Sequence, residues 1–385
     1  MKIILSVDAI APPLTGIGRY TFELARRVPG SDGVDAMRFF SHGRWVSDIN
    51  MLLAQSLDTP TLRRRLLRNP ITVAAYRWLS PSLSRHRLRT FPDHVYHGPN
   101  YFLPPFGGPA IATIHDLTPF RYPQFHPAKL VSSMKKEIPL TLSRASFLIT
   151  DSEFIRQEII QYFAWPSDKV RAVPLGVGDE YHPRGIEETA GVLGKLGLVF
   201  DGYTLCVATI EPRKNIEALL LAYEALSQSL RNRYPLVLAG SYGWNNESIH
   251  QRIEQGQRQG WVRYLGYVSE ADLPMLFSGA RGFIYPSLYE GFGLPVIEAM
   301  ASGVPVLISN RASLPEVASG AALIVEAEDL QAMTEGIRVL LEDDQWREEA
   351  VTRSLEVASR YTWDKTARET VGVYRAVNNA AFGSV

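Results

Sequence analysis

YTLCVATIEPRKNIEALLLAYEAL, residues 203–226, reads as a buried strand, a polar turn and a helix in immediate succession. Leu205–Thr209 is a short, largely apolar run of the kind that a strand covered on both faces requires. Ile216, Leu219, Leu220, Tyr223 and Leu226 then recur at the i, i+3, i+4, i+7 spacing that turns one face of a helix inward. Outward from this unit the same alternation repeats. Strands are expected at Ile3–Val7, Ala110–Ile114, Phe147–Thr150, Leu236–Ala239, Gly282–Tyr285, Pro305–Ile308 and Ala322–Val325, with segments of helical period between them. Strands alternating with helices imply an α/β fold of parallel sheets built from right-handed crossovers, with helices on both faces.

A chain of 385 residues with 46% apolar side chains exceeds what one core organises, so two domains are expected. Pro174, Gly176, Gly178, Pro183 and Gly185 mark a loop near the middle, which puts a linker near 175–200 and the domain boundary at 185/186. Ligands of such sheets bind outside the carboxyl ends of the strands, so two facing domains imply a cleft between them. The formal charge is zero, from 40 basic and 40 acidic side chains, which excludes a basic nucleic-acid coat and an acidic disordered tail. The zero conceals an asymmetry. Residues 1–185 hold 23 Lys+Arg against 15 Asp+Glu, net +8, and residues 186–385 are net −8. Between Asp58 and Asp93 lie Arg63, Arg64, Arg65, Arg68, Arg77, Arg85, Arg87 and Arg89 with no acid among them, a surface suited to an anionic partner. No stretch of 18 apolar residues exists, and MKIILSVDAI, broken at Asp8, is expected to be a first buried strand rather than a signal peptide. The single cysteine, Cys206, lies in an apolar run and fits a reducing, cytoplasmic setting.

Four motifs carry chemistry. In DAIAPPLTGIGRY (8–20) a strand gives way to Gly16, Gly18 and a helix with Ile17, Tyr20, Leu24 and Val28 inward, so free amides and the positive helix end form an anion site. In TIEPRKN (209–215) Arg213 and Lys214 place two cations at a strand-to-helix turn, against the helix dipole, where a departing diphosphate needs its charge neutralised. YPSLYEGFGLPVIEAMASG (285–303) sets Glu290 and Glu298 eight apart around Gly291, Phe292, Gly293 and Leu294, with Pro295 in the first helical turn and Gly303 at its end. Two carboxylates beside an amide cradle suit hydroxyl-rich ligands such as ribose or hexose, and a Glu298 buried without a partner would cost several kcal/mol. In TIHDLTP (113–119) His115, with Asp116 beside it, ends a strand and can hydrogen-bond a substrate hydroxyl. His97, Asn100 and Tyr101 form a further candidate wall on the acceptor side. No Asp-x-Asp pair, zinc-spaced His/Cys cluster, Gly-x-Ser-x-Gly elbow or Walker lysine is present, so side-chain cations would do the work of a metal.

Together with TDSEF (150–154), VPLGV (173–177), LAG (238–240) and LGYVSEADL (265–273), these motifs resemble glycosyltransferase family 4 over nearly the whole chain. The resemblance implies a GT-B fold of two Rossmann-like domains, an acceptor domain at 1–185 and a nucleotide-sugar donor domain at 186–362, with 363–385 a helix returning to the first. It implies retaining transfer without a metal or other cofactor. Arg213 and Lys214 would grip the diphosphate, with Gly16 approaching it. Glu298 would bind the ribose, Val268 would contact the base through its backbone, and Glu290 with Gly291–Leu294 would hold the hexose and phosphates. His115 would sit by the reacting sugar. Many relatives carry Gly or Arg where Ala208 stands, which removes one phosphate contact. The HDLTPF and EPRKN variants recur in relatives that assemble bacterial O-antigen from GDP-mannose or a GDP-deoxyhexose. A GDP-sugar donor is therefore expected, with a glycan or polyprenyl-diphosphate-linked acceptor at the inner membrane face and the Arg63–Arg89 segment on anionic lipid. Sugar-nucleotide epimerases, glycan phosphorylases and non-catalytic sugar-nucleotide scaffolds share the architecture and stay open at this level.

Overall fold

The computed structural model describes residues 1–54 and 86–383. Of the arginine-rich segment, Arg63, Arg64, Arg65, Arg68, Arg77 and Arg85 lie outside the described residues. The chain forms two compact units. One comprises Met1–Leu117, Ser132–Leu175 and Trp363–Val385, and the other Thr118–Val131 and Gly176–Thr362.

The first unit is built on a seven-stranded sheet: β1 (Lys2–Ser6), β2 (Ala36–Ser41), β3 (Arg44–Val46), β4 (Val95–Gly98), β5 (Ala110–Ile114), β6 (Phe147–Thr150) and β7 (Val170–Ala172). They lie in the order β3-β2-β1-β4-β5-β6-β7, parallel throughout except for the β2–β3 hairpin. Ile3, Ile4 and Leu5 are wholly buried, so MKIILSVDAI opens the sheet as its pattern requires. Helix Gly16–Arg27 starts where Thr15 Oγ1 accepts from Gly18 N, and it buries Tyr20 and Leu24. The long helix Trp363–Phe382 packs against it, tied by Arg27 Nε to Asp364 Oδ1 (2.7 Å) and by Thr366 Oγ1 to the Pro174 carbonyl (2.7 Å).

The second unit has six parallel strands, β8 (Thr204–Val207), β9 (Leu236–Ala239), β10 (Val262–Gly266), β11 (Gly282–Tyr285), β12 (Val306–Ser309) and β13 (Leu323–Val325), in the order β10-β9-β8-β11-β12-β13. This is the doubly wound order in which the direction of strand addition reverses once, here between β8 and β11. Its four central strands are buried on both faces, Leu205, Leu236, Val237, Leu238, Phe283, Ile284, Leu307 and Ile308 all being inaccessible to solvent. Helix Ile216–Glu224 buries Ile216, Leu219, Leu220 and Tyr223, the face its spacing marked. Both units are therefore α/β with parallel sheets, Rossmann-like in construction.

Candidate active site

Because β8 and β11 are adjacent at the reversal point, the loops that leave their carboxyl ends meet although they are some 76 residues apart in the chain. The loop after β8 is Thr209–Asn215 and the loop after β11 is Pro286–Gly293. Backbone bonds join them directly, Leu288 N donating to the Arg213 carbonyl at 2.8 Å.

Lys214 is buried, and its Nζ donates to Glu290 Oε1 and to the Tyr285 hydroxyl, each at 2.6 Å. Arg213 donates through Nη2 and Nε to Glu211 Oε1 (2.6 and 3.0 Å) and through Nη1 to the Tyr289 carbonyl (2.7 Å), with Glu290 Oε1 3.0 Å from Nη1. Ser287 Oγ adds a 2.5 Å bond to Glu290 Oε1, and Ser313 Oγ donates to the carbonyls of Glu290 and Phe292 at 2.9 Å. Burial alone would raise the Glu290 carboxyl, but Arg213 and Lys214, with the hydrogen bonds from Lys214 and Ser287, hold it down at about 2. Lys214 moves below its ordinary value, through burial first and the neighbouring Arg213 second. The result is a buried quartet of two cations and two carboxylates. Its cations are already paired, so an anionic ligand must compete with Glu290 and Glu211 rather than meet bare charge.

Helix Leu294–Ala301 begins beside this quartet, with Pro295 in its first turn. Gly293 precedes it at φ +108°, where a side chain is strained, and a Cβ there would stand 2.8 Å from Leu314 Cδ2. The helix places Glu298, half-buried, one turn inside. Phe292 is buried against Tyr361, their ring centroids 5.6 Å apart. Val268 is half-buried and packed on the core of this unit, two residues beyond Gly266, which adopts φ +67°. The structure thus brings Arg213, Lys214, Glu290, Gly291, Phe292, Gly293, Leu294 and Glu298 into one place.

The remaining candidates lie in the first unit. Gly16 is the exposed first residue of helix Gly16–Arg27. His115, at the end of β5, is buried with both ring nitrogens engaged, Nδ1 with Asp151 Oδ2 and Nε2 with the Pro99 carbonyl, each at 2.7 Å. Burial opposes its protonation, but Asp151 and the Pro99 carbonyl outweigh it and hold the imidazole above its ordinary value. The rings of Tyr20 and Tyr101 meet it edge-on, centroids 5.4 Å away. His97 is wholly buried on β4, between Tyr374 Oη (2.7 Å) and Thr113 Oγ1 (2.8 Å), and burial drives it down to about 3, so it is neutral. Asn100 and Asp116 are half-buried, and Tyr101 adopts φ +62° in the turn after β4. Sequence reasoning did not single out Glu211, Tyr285, Ser287 or Ser313. Glu211 was in plain view inside EPRKN, whereas the hydroxyls carry no local signal.

Two Rossmann-like units in one chain, the second bearing this quartet at its reversal point, are the construction of the GT-B fold. Residues 14–181 match the model of Glycosyltransferase Family 4, and residues 200–356 that of Glycosyl transferases group 1. The chain is 41% identical to O-antigen chain mannosyltransferase B of Escherichia coli over 379 residues, covering 97% of this chain and 100% of that one. Among solved structures, Anabaena Alr3699/HepE in complex with UDP-glucose superposes with a TM-score of 0.72 at 16% identity, covering 98% and 100% of the two chains. Sucrose-phosphate synthase from Thermosynechococcus elongatus does so with 0.70 at 20%, covering 99% and 100%. The chain belongs to glycosyltransferase family 4 and is a glycosyltransferase. Of the readings that the sequence leaves open, the comparisons select this one over the epimerase, the phosphorylase and the scaffold.

Proposed function

We propose that the protein transfers a hexose, mannose or a deoxyhexose such as rhamnose, from a GDP-sugar to a hydroxyl of a growing O-antigen-type glycan, with retention of anomeric configuration and without a metal. The mannosyl assignment follows the 41% identity to an O-antigen chain mannosyltransferase. The quartet supports transfer without a metal. Arg213 and Lys214 beside the start of helix Leu294–Ala301 supply positive potential where a leaving diphosphate gains charge, the demand a metal would otherwise meet. Glu290 and the Gly291–Leu294 backbone hold the hexose and phosphates, Glu298 the ribose, and Val268 the base. Gly16 is assigned to the diphosphate and His115 to the transferred hexose. A hydrogen bond from His115 Nε2 to a sugar oxygen requires that it give up the Pro99 carbonyl. Asn100, Tyr101 and Asp116 are assigned to the acceptor. His97, with no exposed surface, braces Thr113 instead.

Retention follows if the acceptor hydroxyl attacks the face from which the nucleoside diphosphate departs, the leaving phosphate taking the proton. Positioning and charge stabilisation then supply the rate. No described helix is long and apolar enough to cross a membrane. A lipid-linked acceptor is proposed to be met peripherally at the inner membrane face, with the Arg63–Arg89 segment on anionic lipid. Thermal-shift titration with GDP, UDP, ADP and dTDP tests the donor. GDP at about 100 times its Kd should stabilise by roughly 2.7 kcal/mol, and a shift with UDP but none with GDP overturns the assignment. Transfer should persist in excess EDTA.

A further inference from the structure

Thr118–Val131 is flanked on both sides by chain of the first unit, yet it packs with the second. The segment is stiff by composition, since Pro119, Pro123 and Pro127 fix φ at every fourth position. It makes two anchored contacts. The ring of Tyr122 packs on Tyr289 (centroids 5.3 Å apart, planes at 57°) and stacks on Phe125 (5.5 Å, 15°). The carbonyl of Phe125 accepts from Trp244 Nε1 at 2.8 Å.

One anchor reaches the quartet, and the other braces the loop that carries it. Tyr289 is buried, precedes Glu290, and gives its carbonyl to Arg213 Nη1. Trp244 belongs to the loop after β9, which is bonded to the strand end just before Glu211: Ile210 N donates to the Ser241 carbonyl (3.0 Å), and Asn246 Nδ2 donates to the Ile210 carbonyl (2.8 Å). The segment therefore spans the loops after β9 and β11: the second holds the Arg213 guanidinium through the Tyr289 carbonyl, and the first braces the backbone just before Glu211.

We infer that Tyr122 is a positioning residue for transfer: its ring, fixed through Phe125 to Trp244, holds the Tyr289 peptide where it orients Arg213. This rests on the reading of Arg213 as a diphosphate ligand. Without the ring, Tyr289 gains room, and Arg213 loses the fixed carbonyl that sets its third direction while keeping Glu211. The loss falls on turnover more than on donor binding, because the guanidinium counts most when the diphosphate gains charge in the transition state.

The experiment compares Tyr122→Ala, Tyr122→Phe and Trp244→Phe in the full chain, with kinetics normalised to folded protein and hydrogen–deuterium exchange across residues 286–293. Tyr122→Ala should lower kcat about tenfold with donor KM changed less than about twofold, the pattern of a lost transition-state contact. Tyr122→Phe, which keeps the ring, should restore kcat to within about twofold, and Trp244→Phe, which removes only the N–H, should fall between. Exchange across 286–293 should quicken in Tyr122→Ala alone. Wild-type kcat in Tyr122→Ala, equal impairment in Tyr122→Phe, or unchanged exchange would each overturn the inference. If the wild-type protein turned over no nucleotide sugar, the transferase reading would fail instead, and the exchange comparison would still decide the contact.

Discussion

Replacing Glu290 by Gln changes one buried charge and almost no volume, so its effects measure the electrostatics of the quartet. Glu290 Oε1 stands 2.6 Å from Lys214 Nζ and 3.0 Å from Arg213 Nη1. Each pair carries a gross attraction of about 5–6 kcal/mol at an effective dielectric of 20, most of it cancelled by the cost of taking the carboxylate out of water. The net survives in the titration. Folding lowers the carboxyl from 4.5 to about 2, which at about 1.4 kcal/mol per pH unit is a contribution of about 3 kcal/mol at pH 7. Because the folded value is depressed, that stability is present above pH 4.5 and drains away as pH falls towards 2, with somewhat less than half of it left at pH 3. Glu290→Gln should therefore unfold about 3 kcal/mol more easily in urea at pH 7, a fall of about 6–12 °C in Tm for a unit of this size, and the gap should halve by pH 3.

The same substitution leaves Arg213 and Lys214 facing Glu211 alone, so a nucleoside diphosphate should bind the variant more tightly than wild type while turnover falls about 100-fold. Urea unfolding across pH 3–7 and calorimetric titration with GDP check both halves. Equal stabilities at pH 7, or a gap that does not narrow in acid, would refute the view that Glu290 is held ionised by its two cations.

The strands legible in the sequence are those that bury both faces with apolar side chains. Ala110–Ile114, Phe147–Thr150, Leu236–Ala239 and Gly282–Tyr285 stand where the pattern placed them. β2, β3, β4, β7 and β10 escaped, because AMRFFS, RWV, VYHG, VRA and VRYLG are short or interrupt an apolar run with Arg or His. His97 of β4 is tolerable in a core because Tyr374, 277 residues away, and Thr113 engage its two ring nitrogens, and no local pattern carries that. The site shows the same division. Arg213, Lys214, Glu290 and Glu298 stand out as charged residues beside apolar runs, but the pairing of Arg213 and Lys214 with Glu290 depends on β8 lying beside β11, and strand–helix alternation does not specify strand order. Tyr285 and Ser287 looked like strand and loop residues until Lys214 and Glu290 stood beside them.

Three further outcomes test the site. Arg213→Ala should cut turnover 100- to 1,000-fold, roughly the worth of one preorganised donor at a developing anion, and a loss below about tenfold in steady-state kinetics would remove it from the mechanism. Gly293→Ala should lose about 2 kcal/mol in urea unfolding, from strain at φ +108° and the 2.8 Å approach to Leu314, and should weaken GDP binding with it; an unperturbed variant would mean that the loop relaxes at no cost. His115→Ala should cost about 3–5 kcal/mol, because Asp151 is left buried without the partner that holds its Oδ2. Its pH dependence has the opposite sign to that of Glu290. The folded His115 value is raised, so its contribution is complete below about pH 6.5 and is lost as pH rises through the folded value. The wild-type protein should thus shed stability on the alkaline side, whereas His115→Ala, in which the Asp151 carboxyl, raised by burial, must ionise without a cation, should shed it at lower pH; parallel stability curves for the two from about pH 4 to pH 9 would refute the coupling of the pair.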